Sequence, residues 1–192
     1  MHKGRLEAFS DGVIAILITI MVLELKTPEG TEWHALQRLV PTILSYVMSY
    51  VYLGIYWNNH HHMLQTCSSV NGKILWANLH LLFWLSLIPF VTGWTGQNHF
   101  APLPTAMYGL VLIMAAIAYT ILQTCIIRFQ GPNSNLAAAI GSDAKAKVSL
   151  AFYAIGILLA VFQHSWIGAS LYAMVALIWL VPDPRIESRL SH

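Results

Sequence analysis

The chain has 192 residues, 57% of them hydrophobic and 9% charged, against roughly 25% charged in an ordinary soluble domain. So few charges cannot clothe a water-facing surface, which places the chain in a bilayer. A net charge of +2 is too small to point to nucleic acid, and the two cysteines, Cys67 and Cys125, sit outside any CxxC or Cys/His spacing, so neither a disulfide framework nor a zinc site is implied.

A spanning helix needs about 20 mostly apolar residues, and six such blocks follow one another along the sequence. The reading is an all-α integral membrane protein, one six-helix transmembrane domain over 1–192, with helices near 5–25, 35–64, 74–94, 103–127, 144–163 and 166–181. The first block, Arg5 to Leu25, has a polar entry containing Glu7, Ser10 and Asp11, then an apolar run with the single hydroxyl of Thr19. Glu7 and Asp11 interrupt what would be the basic start of a signal peptide, and no small-residue cleavage site follows Leu25, so the block is kept as a mature helix. Pro28 and Gly30 end it. The second block carries an aromatic middle and the tail Asn58-Asn59-His60-His61-His62; a polar turn through Ser68 and Lys73 leads to the third. The fourth ends at Arg128, and Gly131-Pro132-Asn133-Ser134-Asn135 turns the chain toward the fifth. A short link at His164-Ser165 makes the fifth and sixth an antiparallel hairpin, which Pro182-Asp183-Pro184 terminates.

Lys and Arg are distributed unevenly across these blocks, with Lys3, Arg5, Lys73, Arg128, Lys145, Lys147, Arg185 and Arg189 on one side and Lys26 and Arg38 on the other. Because cytoplasmic loops carry the excess, both termini are expected in the cytoplasm.

An ionisable residue inside a span is costly enough to require a partner. Asp11 and Ser10 lie one to two turns into the first helix. The orientation brings His60, His61 and His62 on the second helix, and Trp76, Asn78 and His80 on the third, to the same depth as candidate partners for Asp11. One reading is a polar knot that fixes the first helix; the other is that Ser10 and Asp11 are solvated or cap the helix start.

Arg5, Phe9-Ser10-Asp11-Gly12 and the apolar run with Thr19 resemble the bacterial and lysosomal potassium channels of the transmembrane-protein-175 family. The resemblance continues through Tyr56-Trp57, the histidines at 60–62, Asn78, Phe83, Ser86, Leu87 and Pro89-Phe90. It implies a homotetramer of six-helix subunits in the bacterial inner (plasma) membrane, with the four first helices lining a central path for potassium ions. No cofactor beyond the permeant ions is implied. Carried over, the family's hydrophobic constriction falls on Ile16, with Ile20 and Leu23 continuing it, and its selectivity-linked threonine on Thr19. These four positions share one helical stripe, although a stripe at this spacing is also how a packing face reads. Apolar rings can gate by dewetting, and a hydroxyl ring beside them can partly replace an ion's water.

Two other classes remain. A proton- or metal-coupled transporter would use Asp11 and His60 to His62, yet adjacent helical residues point about 100° apart and no HxxxH spacing occurs. A non-transporting scaffold is the third. Catalysis finds no nucleophile elbow, phosphate loop or paired carboxylates, so an enzyme is not expected.

Overall fold

A computed structural model describes residues 3–67, 69–131, 134, 136–137 and 144–180. All regular structure among the described residues is helical. Ser68, Pro132, Asn133, Asn135, Val181, the Pro182-Asp183-Pro184 breaker, Arg185 and Arg189 lie outside the described residues.

Helix α1 (Gly4–Ile20) tightens into a 3-10 turn (Met21–Glu24), where the sequence suggested α-helix to Leu25. The tightening is an ordinary helix ending. Leu25 then leaves in extended backbone, φ −82° and ψ 94°, two residues ahead of a threonine that the following Pro28 keeps out of the α region. Counting 1.5 Å and 2.0 Å per residue for the two helix types, the unit is roughly 33 Å long, matching a hydrocarbon core of about 30 Å.

The stretch over 35–64 is divided into α2 (Trp33–Gln37) and α3 (Val40–Gln65), and that over 74–94 into α4 (Gly72–Ser86) and α5 (Ile88–Gln97). Both breaks have the same cause. A proline lacks an N–H and crowds the carbonyl four residues back, which is Gln37 for Pro41 and Leu85 for Pro89. The start of α4 is fixed by Asn71, whose side chain accepts from the Ile74 N–H at 3.0 Å. Then follow α6 (Pro102–Gln130), α7 (Ala144–Val161) and α8 (Ser165–Leu180).

Among the described residues four helical units are long and apolar enough to cross a membrane: Gly4–Glu24, Gly72–Gln97, Pro102–Gln130 and Ala144–Val161. Ser165–Leu180 is apolar but shorter. With 26 residues α3 has the length, but Asn58, Asn59 and its three histidines make it the least apolar of the long helices.

Helix α1 packs on α3 and α4, α6 bridges α4 and α7, and α7 pairs with α8. The α7–α8 pair closes through two glycines: a Cβ on Gly168 would stand 2.5 Å from the Gly156 carbonyl oxygen. Close backbone approach of this kind is how helices associate where lipid removes any hydrophobic drive between them. Tyr52 ties α3 to α8 by donating to the Tyr172 carbonyl at 2.6 Å.

Candidate functional site

The face of α1 turned to the bundle consists of Leu6, Ser10, Ile14 and Leu17, followed by Met21 in the 3-10 turn, at the spacing of one helical stripe. Ser10 is the one polar member, and it is fully buried. Its hydroxyl donates to the Leu6 carbonyl at 2.8 Å and accepts from the Asn78 side-chain amide at 2.9 Å. With the serine proton committed, Asn78 must present its nitrogen there, so its oxygen faces His60 at 2.7 Å. That oxygen can only accept, so His60 donates from Nε2 and carries its proton there. The other ring nitrogen, Nδ1, has no hydrogen-bond partner among the described residues.

A second chain runs along the partly exposed side. Asp11 accepts from the Trp57 indole N–H at 3.1 Å. Trp57 stacks on His61, with centroids 6.1 Å apart and planes 21° from parallel. His61 Nε2 takes the Gln65 amide at 2.8 Å, which leaves Nδ1 to face Glu7 Oε1 at 3.5 Å. Lys3 adds a further tie by donating to the Leu64 and Gln65 carbonyls, at 3.2 and 3.1 Å, where the last turn of α3 has carbonyls to satisfy.

Asp11 therefore bonds Trp57, and none of the residues offered for it by depth is its hydrogen-bond partner. Asn78 and His60 reach α1 through Ser10 instead. Residues 10 and 11 point about 100° apart, so they face different neighbours. His61 joins the Glu7 side, and His62 makes an edge contact with the His61 ring. His80 accepts from Trp84 at 3.0 Å within α4, Trp76 is exposed, and so are Arg5 and Phe9. Among the described residues no group of three or more His, Cys, Asp or Glu side chains is placed to hold a metal ion. In the connection after α3, burial pushes the Cys67 thiol up, so it stays protonated.

Beyond Asp11 the exposed side of α1 is apolar. Ile16 is 59% exposed, Ile20 40% and Leu23 77%, while Ile14, Leu17 and Met21 are buried. The 3-10 turn keeps Leu23 on this stripe. With roughly 120° per residue after Ile20 in place of 100°, Leu23 falls over Ile20 and about 40° from the direction of Ile16. Thr19 is exposed on the flank and donates to its own helix, to Ala15 and Ile16 carbonyls at 3.1 and 2.9 Å. The one hydroxyl proton is shared between these two carbonyls, and the oxygen keeps its acceptor capacity.

The far half of the bundle contains a hydroxyl cluster that sequence reasoning did not single out. Ser49 lies 2.6 Å from the Thr92 hydroxyl and 2.7 Å from that of Tyr108, and Ser45 donates to the Thr92 carbonyl at 3.1 Å. These bonds join α3, α5 and α6 at the break introduced by Pro89. The spacing of Thr42, Ser45 and Ser49 on one face of α3 was the available signal.

A family model described as endosomal/lysosomal potassium channel TMEM175 matches residues 5–89, from the polar start of α1 to the proline break. A potassium channel of Chryseobacterium sp. (strain P1-3) is 60% identical over 191 residues, 100% of this chain and 99% of that one. One of Streptomyces collinus is 35% identical over 126 residues, 62% of this chain and 61% of that one. The fold matches the crystal structure of a lysosomal potassium-selective channel TMEM175 homolog from Chamaesiphon minutus with a TM-score of 0.82, at 24% identity, over 93% of this chain and 96% of that one.

Proposed function

The chain belongs to the TMEM175 family of ion channels, and from that premise we propose that it forms a potassium-permeable cation channel in the bacterial inner membrane. Four copies surround a central path lined by α1. Each crosses the bilayer six times, by α1 with its 3-10 turn, α3, α4 with α5, α6, α7 and α8, with both termini in the cytoplasm as the Lys and Arg distribution favours. Ile16, Ile20 and Leu23 form successive apolar rings that narrow the path and gate it by dewetting, and four Thr19 hydroxyls contribute selectivity. The Ser10–Asn78–His60 and Asp11–Trp57 bonds hold α1 in the rotation that turns this stripe to the axis.

One observation carries the reading: α1 buries its Ser10 face against α3 and α4 and leaves the opposite stripe, with the hydroxyl of Thr19 on its flank, exposed. The test is cation flux from liposomes containing the purified protein, with potassium, sodium and caesium in parallel. Potassium should run down its own gradient, faster than sodium, with no proton gradient applied. Absence of flux would leave a scaffold, and flux that requires a proton gradient would leave a transporter.

A further inference from the structure

At the end of α1 remote from Asp11 sits a carboxylate that the ion-path reading does not use. In a 3-10 turn residues three apart eclipse, so Glu24 falls directly over buried Met21 and is directed to the bundle side, away from Leu23. It rests against α5 where that helix has Gly93; a Cβ there would occupy the position of the carboxylate itself. Among the described residues no Lys, Arg or His is within ion-pair distance of Glu24, and its donor is the Gln97 amide at 3.5 Å, the long end for a hydrogen bond.

Phe90, Gly93, Trp94 and Gln97 are spaced i, i+3, i+4 and i+7 and so form one face of α5. Phe90, Trp94 and Gln97 line, with Glu24, an open surface cleft of about 300 Å³. The two rings lie 5.8 Å apart and tilted by 35°. A bare metal ion would find one carboxylate and one amide here, well short of the six or more oxygens that hard cations take. A carboxylate beside two aromatic rings suits a soft organic cation, which gains from the ring quadrupoles as well as the charge.

We infer that this cleft is a binding site for an ammonium group, with Glu24 as counter-ion and Phe90 and Trp94 as its aromatic wall. Gly93 keeps the space in which the carboxylate stands. Both a soluble alkylammonium and the headgroup of an aminophospholipid carry that chemistry. The site is built within one subunit, so it does not require the pore assignment.

The purified full-length protein in detergent is titrated with tetramethylammonium chloride against sodium chloride at constant ionic strength, and binding is read by saturation-transfer NMR on the ammonium methyls. Glu24→Gln keeps the shape and removes the charge; it should weaken binding by about tenfold, the loss of the counter-ion's Coulombic attraction. Gly93→Ala should do the same by displacing an unaltered Glu24, and Trp94→Leu should weaken binding while leaving the carboxylate. A parallel arm asks by native mass spectrometry whether phosphatidylethanolamine is retained over phosphatidylglycerol and released by Glu24→Gln. Retention assigns the site to a lipid headgroup, and tetramethylammonium binding without it assigns a soluble ligand. Equal saturation transfer and lipid retention in the native protein and Glu24→Gln, or no binding of either probe, overturns the inference. Neither readout needs ion current, so its failure is distinct from failure of the channel reading.

Discussion

Between Lys3 and Asp11 the first helix is tied to α3 and α4 by side-chain hydrogen bonds, whereas between Ala15 and Leu23 its hydroxyl bonds its own backbone and its bundle contacts are apolar. In a bilayer this contrast has a physical meaning. Lipid tails solvate Ile and Leu as well as another helix does, so apolar contact alone does not select one rotation of α1. Hydrogen bonds do, because an unmade one in the hydrocarbon has no water to replace it. The polar half therefore sets the azimuth of the helix, and the apolar half inherits it. A rotation of one residue, about 100°, would carry Ile16 and Ile20 off the exposed side.

The largest effect should come from spoiling the apolar half while leaving the anchor alone. Ile16→Asn puts an amide in the narrowest proposed ring and stabilises water there, so resting potassium flux into liposomes should rise on the order of tenfold or more. Unchanged flux in a protein that still assembles would remove Ile16 from the constriction.

Next in size is the reverse experiment, which spoils the anchor. Asn78→Leu keeps the bulk of a fully buried side chain but leaves Ser10 without its donor and His60 without its acceptor. A stability loss of about 1–2 kcal/mol is expected, read from thermal or detergent unfolding, at the upper end for hydrogen bonds between membrane helices. If Asn78→Leu is no worse than a Leu→Ala change at exposed Leu79, the buried chain does not anchor α1.

Thr19→Val is subtler because the shapes match. It removes the hydroxyl's acceptor capacity together with two local bonds inside one helix. The ratio of potassium to sodium flux should fall several-fold, with stability nearly unchanged. A constant ratio would reduce Thr19 to a helix-internal hydroxyl.

Much of this contrast could be read before any coordinates. A serine and an aspartate within an apolar run mark a place that needs partners, and Asn78 and His60 lie at the matching depth once the helices are threaded. What could not be read was the pairing. Depth ignores azimuth, so Asp11 looked equally near six residues, and Trp57, counted among the aromatics of α3 and in the resemblance, was not seen as its donor. Lys3 counted toward orientation, and its reach to the last carbonyls of α3 depends on how the two helices cross. The breaks at Pro41 and Pro89 follow from proline geometry alone, yet hydropathy runs straight through them and conceals them. Ser45 and Ser49 share a face in the sequence, but only the packing of α5 on α3 brings Thr92 to meet them.

The smallest effect is the most informative about whether the anchor is one device or two. Trp57→Phe keeps an aromatic ring to stack on His61 and removes the N–H that Asp11 accepts. Water reaches that bond, so its loss should cost under about 1 kcal/mol in the same unfolding measurement. Combined with Asn78→Leu, it completes a double-mutant cycle across adjacent residues of α1. If Ser10 and Asp11 hold the helix independently, the two costs add to within about 0.5 kcal/mol. If both bonds serve to fix a single rotation, the first substitution already frees the helix to turn, and the second costs less than it does alone. Sub-additive loss together with raised resting flux in the double variant would show that the azimuth of α1 is what the polar half maintains. Additive loss with native flux would break that link and leave the anchor as a stability element only.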